Sequence, residues 1–158
     1  METDEAPPEH ARFAAYLAEL ERVADADEFA LVTEVLRDPD HAMAQSAVVR
    51  HVDRRAAALH LRPDYLRWAE GMAGATGAQH PFLARRLQEW SLFRAIALGR
   101  AWRPDALLGA SDWLQRKTAE SSSNATALEL LTVHGRTRRV RATAHNRHHS
   151  LSQPPRGE

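Results

Sequence analysis

Histidine and arginine are the residue types abundant enough in this chain to suggest chemistry. His145, His148 and His149 stand at i, i+3 and i+4 in the segment HNRHHS. On a helix that spacing gathers three imidazoles on one face, as a divalent-metal site needs. No carboxylate stands nearby to complete a ligand set or orient the rings, so a solvated helix end is expected, with no metal and no other cofactor. His51 shares a helical face with Val48, Val52 and Arg55, which predicts a partly buried imidazole hydrogen-bonded to a neighbour. A general base would need a nucleophile or acid beside it, and the sequence places none there. Ser46, Ser91 and Ser111 lack the strand-to-helix elbow of a nucleophilic serine, and GMAGATG follows a helix, so it reads as a turn rather than a phosphate loop. Cysteine is absent, which removes thiol nucleophiles, disulfides and thiolate metal sites and suits a reducing compartment. The chain is therefore expected not to be an enzyme.

Arginine gives the stronger surface signal. The doublets Arg54-Arg55, Arg85-Arg86 and Arg138-Arg139, with Arg136, Arg141 and Arg147, would make one positive strip if successive helices aligned them. Such a strip suits phosphate contacts. Interspersed Asp53, Glu89 and Glu120 also permit ordinary ion pairs within helices. Arg54, Arg55, Arg85, Arg86, Arg136, Arg138, Arg139 and Arg141 are thus the candidate contacts to a partner or to phosphate. A net charge of zero hides two poles: residues 1–40 hold twelve acids against three arginines, and residues 134–158 hold six arginines against one acid. The poles attract each other, solvate their own faces, or present the basic end to an anionic partner.

The elements that must position these residues are all helical. Phe13, Tyr16, Leu17, Leu20 and Val23 recur every three or four residues and predict an amphipathic helix over 9–24. A second helix starts near Asp27, its expected cap, buries Phe29, Val32, Val35 and Leu36, and stops at Asp38-Pro39-Asp40 because the residue before proline resists helix. Asp40 caps a third helix over 41–60. Pro63 is expected in the first turn of a fourth, with Tyr65, Trp68, Ala69 and Met72 inward and the glycines 71, 74 and 77 at its end. Pro81 opens a fifth, apolar over more than half its circumference from Phe82 to Ala97 and hence expected at the centre of the core. Pro104 opens a short helix, Ser111 or Asp112 caps the next, and Gly135 is read as a left-handed stop before a last helix, Thr137 to about Arg147. Trp68, Trp90, Trp102 and Trp113 fall in helical register with Leu and Phe and belong to packing. Residues 1–8 and 148–158 lack the apolar content to order themselves. One helical domain over 9–147 follows.

Arg116, Thr118 and Ala119 match Arg141, Thr143 and Ala144 at a displacement of 25 residues. The stretches ATALELLTVHGRTRRVRATA and DPDHAMAQSAVVRHVDRRAAA resemble units of HEAT-like and leucine-rich-repeat-variant α-solenoids. The blocks LARRLQEWSLFRA and ASDWLQRK also resemble an uncharacterised family of actinobacterial proteins. The solenoid resemblance implies a concave surface for a protein or a nucleic acid. Some HEAT-like proteins are alkylpurine DNA glycosylases using an Asp with exposed aromatics; Asp112 with Trp102 and Trp113 superficially fits, although a helix-cap role explains Asp112 better.

The fold expected is all-α, either an irregular multi-helix bundle or a short HEAT-like α-solenoid of about seven to eight helices. No run reaches the roughly 18 apolar residues of a membrane span, and the acidic, proline-bearing start METDEAPPEH has no signal-peptide pattern. A cytoplasmic location is expected. The function read from these features is a non-catalytic protein–protein interaction or regulatory module. The alternative is a nucleic-acid-binding protein using the arginine-rich C-terminal third.

Overall fold

The computed structural model describes residues 8–155. The expected acidic disordered start falls almost wholly on residues 1–7, outside the described residues, as do residues 156–158 of the tail. The described chain is all-helical: nine α-helices and one 3-10 turn, with no strand. In order they are α1 (Glu9–Arg22), the 3-10 turn Asp25–Asp27, α2 (Glu28–Val35), α3 (His41–Leu59), α4 (Tyr65–Thr76), α5 (Pro81–Ala97), α6 (Pro104–Leu108), α7 (Asp112–Ser121), α8 (Ala125–His134) and α9 (Arg138–Ser152). Contacts cluster into two compact units that divide inside α5, between Leu87 and Gln88.

In the first unit, α1 packs on α3 and α2 on α4. Val32, Val35, Ala44, Ala47, Val48, Val52, Ala56, Tyr65 and Met72 are fully buried. Asp40 caps α3 as expected, its Oδ1 accepting from the Met43 N–H at 3.1 Å. The α2–α3 turn is held by Asp38, whose buried carboxylate accepts from Tyr16 Oη–H at 2.7 Å, the Asp40 N–H at 2.9 Å and the Arg12 guanidinium. Gly71 lies against the Phe29 ring, so a Cβ there would displace that ring. Four local expectations give way. Gly71 and Gly74 lie inside α4, and only Gly77 ends it. Asp27 lies in the 3-10 turn and makes no side-chain cap. Pro63 stays in the turn before α4. Phe82 is 48% exposed rather than inward, because it lies in the opening turn of α5, where Leu83 and Leu87 take the buried positions.

In the second unit, α7, α8 and α9 pack pairwise around Leu107, Leu128, Leu131, Val140 and the alanines 119, 127 and 144, which are all but inaccessible. Ala119 and Ala144, the small residues of the 25-residue match, share this cluster; small side chains there let helix axes approach closely. Ser111, Asn124 and Thr137 cap α7, α8 and α9 by accepting from the backbone N–H three residues on. Of the two residues offered as the α7 cap, Ser111 is the one used. Gly135 has φ −53, so it is not a left-handed stop. Glycine is needed there for space: a Cβ would meet Leu131 O and Val140 Cγ1. Helix α9 runs five residues past its expected end, because nothing before Pro154 blocks it. Ser150 and Ser152 hydroxyls bond back to Asn146 O and His148 O, and Arg147 and His148 stay partly covered.

Candidate functional site

The first unit holds a buried polar cluster built from three helices. Glu28 opens α2, His51 and Arg55 lie one turn apart on α3, and Trp68 comes from α4. Glu28, His51 and Trp68 are buried. The Glu28 carboxylate accepts from His51 Nε2 at 2.6 Å, Arg55 Nε at 3.0 Å and Trp68 Nε1 at 3.2 Å. Arg54 Nη2 approaches His51 Nδ1 at 3.1 Å. A guanidinium can only donate, so Nδ1 accepts, which leaves Nε2 as the ring's N–H donor to Glu28. Burial by itself raises the Glu28 carboxyl, but the hydrogen bonds from His51, Arg55 and Trp68 outweigh it and hold it at about 2. Asp38 is likewise lowered, first by the Tyr16 hydrogen bond and then by the Asp40 N–H, and Tyr16 is raised by the same bond.

A cavity of about 290 Å³ lies against this cluster, lined by Leu17, Leu20, Glu21, Arg50, His51 and Arg54. Both imidazole nitrogens are engaged, so His51 offers no free base to it. The sequence reading of His51 as a partly buried, hydrogen-bonded histidine holds for the hydrogen bonding, and the ring is more deeply buried than expected. That reading missed Glu28, which is 23 residues away and meets His51 only through the packing of α2 on α3.

The eight candidate arginines divide into three groups. Arg54, Arg55, Arg136 and Arg141 are committed internally. Arg54 donates to Leu20 O near the end of α1 at 3.3 Å, and Arg55 binds Glu28 and Asp25. Arg136 donates to Ala110 O at 2.9 Å, and Arg141 to Gly135 O at 2.7 Å beyond the end of α8. Arg147 does the same at the end of α7, bonding Ser121 O and Ser122 O. Arg55 apart, these guanidiniums satisfy backbone carbonyls at or just beyond helix ends. Arg86 pairs with Asp53 at 3.7 Å, and Arg85 also has an interaction within the molecule. Arg138 and Arg139 alone of the eight are exposed on the first turn of α9 with no intramolecular partner among the described residues. Arg54, Arg55, Arg85 and Arg86 fall in the first unit and the rest in the second.

The three C-terminal histidines do not converge. His148 turns inward toward Glu129 Oε1 at 3.5 Å, while His145 and His149 stack on the outer face with centroids 6.5 Å apart. Among the described residues no three His, Asp or Glu side chains group as a metal site. Trp113 tilts against Trp90, with centroids 5.6 Å apart, and Trp102 packs against the second core. Arg138, Ala142, His145, Asn146 and His149, with Gln153 at the helix end, are all exposed. Their spacings of three, four, seven and eight put them on one face, flanked by Arg139. Helix α9 carries no acidic residue of its own; Glu120 of α7 lines a groove with Asn146, and Glu129 of α8 lies beside His148.

No helix among the described residues is long and apolar enough to cross a membrane. Comparison with protein-family models, with curated proteins and with solved structures gives no match to this chain.

Proposed function

We propose that the chain is a non-catalytic binding module that holds nucleic acid on the outer face of α9. The observation that carries this reading is the pair Arg138 and Arg139, exposed and without partners among the described residues, at the N-terminal turn of a helix that has no acid. A helix N-terminus is the positive end of the macrodipole, and cations there are unfavourable by roughly 0.3–1 kcal/mol each. Folding gains nothing from them, so an anionic partner is the economical reason for their presence. The other arginines of this region brace helix ends and hold the face in place. A cytoplasmic site of action fits a chain without cysteine.

Fluorescence anisotropy with labelled duplex DNA, duplex RNA and single strands at about 50 mM salt tests the reading. Salt-sensitive binding is expected, and the double variant R138A/R139A lowers the slope of log affinity against log salt by about 2. Absence of binding to every probe overturns it.

A second reading, a protein partner, rests on a separate observation in the first unit. Leu61 and Leu66 flank the α3–α4 turn and are more than half exposed, and Phe82 is 48% exposed. Leu66→Asp leaves nucleic-acid binding intact on the first reading and abolishes capture of a protein partner on the second.

A further inference from the structure

We infer that the outer face of α9 reads base edges in the major groove of double-stranded DNA. The inference rests on the nucleic-acid reading above and adds the class of ligand and the way it is recognised.

A surface made only to grip phosphate needs cations and little else. The α9 face is different: its basic residues are at one end, and its length carries Ala142, His145, Asn146 and His149, with Gln153 terminal. Asn and Gln form bidentate pairs with adenine, Arg pairs with the guanine acceptors, and a small residue such as Ala admits the helix backbone or meets the thymine methyl. A histidine ring supplies one further donor and acceptor. Helix α9 itself contributes no Asp or Glu; the carboxylates bordering the face are Glu120 of α7, which lines a groove with Asn146, and Glu129 of α8, beside His148. The side chains are also held in order: His145 and His149 stack within 13° of parallel, and Gln153 Nε2 lies 2.9 Å from His149 Nε2.

The scale fits. From Arg138 to His149 the helix rises roughly 16 Å, the length of about four to five base pairs at 3.4 Å per step. A major groove about 12 Å wide accepts a helix. The inner side of α9 is fixed by Val140 and Ala144 in the second core, and by Arg147 on the end of α7. Three residues, Gly135 to Thr137, join α8 to α9, a connection of the length that links the two helices of helix-turn-helix readers. Arg138 and Arg139, at the start of the helix, are placed to meet phosphate or a guanine at the groove edge.

The test is selection from a pool of randomised DNA duplexes of about 20 base pairs with the full chain at low salt, followed by anisotropy on the enriched and starting pools. The expected result is enrichment of a short motif of about four to five base pairs bound tenfold or more tighter than the pool. Asn146→Ala should erase preference at one position while leaving affinity for the starting pool unchanged. His145→Ala should do so at a neighbouring position. Both residues are exposed, and unchanged circular-dichroism melts would show that the variants fold. Binding to the pool without enrichment overturns groove reading and leaves the nucleic-acid reading standing. Tighter binding to single strands or duplex RNA than to duplex DNA also overturns it. Failure to bind any nucleic acid overturns both.

Discussion

Glu28 shows what one residue can decide. In sequence it is an unremarked acid in an acidic stretch; folded, it is buried and joins three helices through His51, Arg55 and Trp68. Its carboxyl is held at about 2, below its ordinary 4.5. A group depressed in this way contributes stability in full above its unfolded value, and loses it as pH falls from about 4.5 toward 2. Asp38, also lowered, adds in the same direction. Glu28→Gln should therefore be less stable than the parent at pH 7, with a gap that narrows as pH drops below about 4.5. Urea midpoints measured between pH 7 and 3 check this, and a gap that stays constant would mean that the carboxylate charge contributes nothing. Sequence reading placed the histidine because its apolar neighbours recur at helical spacing. It missed the acid because no local pattern records a contact across 23 residues.

At the scale of elements, spacing and punctuation located the helices well. Asp40, Asn124 and Thr137 cap as their residue types allow, and Pro39, Pro81 and Pro104 mark boundaries. Glycine was harder to interpret, because one residue type serves two needs. Gly77 and Gly99 have φ near +65, the left-handed conformation that favours glycine. Gly135 instead makes room for Leu131 O and Val140 Cγ1. Gly135→Ala should destabilise the second unit by about 1–3 kcal/mol through overpacking. Gly74→Ala, with open space around the added Cβ, should stabilise the first by about 0.5–1 kcal/mol. Opposite shifts in thermal midpoint check the pair; equal shifts would refute the distinction. Helix α9 exceeds its expected end for a related reason: with no helix breaker before Pro154, partial burial of Arg147 and His148 carries it onward.

For the whole molecule, the two units differ in what holds them. The first has its buried carboxylates Glu28 and Asp38 tied to arginine, tyrosine, histidine and tryptophan. The second buries one carboxylate, Glu89, which accepts from Ser111 N–H and Oγ–H before α7, while α8 and α9 pack on an apolar cluster linked by the neutral Gln115: its amide donates to Leu107 O and Leu108 O and accepts from the Arg136 N–H. Acid should loosen the first unit sooner. Hydrogen exchange corrected for intrinsic rates, followed from pH 6 down to 3, should show α2 and α3 losing protection before α8 and α9. Simultaneous loss would place both units in one cooperative transition.

The amino-acid sequence determined the all-helical class, most helix boundaries, the burial of His51 and the basic character of the last helix. Those properties depend on periodicity, capping and proline, which act over a few residues. Tertiary structure decided which arginines are occupied. Arg54, Arg55, Arg136 and Arg141 look as available in sequence as Arg138 and Arg139 do. Only packing brings a helix end or a buried acid within reach of the first four, and leaves the other two exposed, with no partner among the described residues.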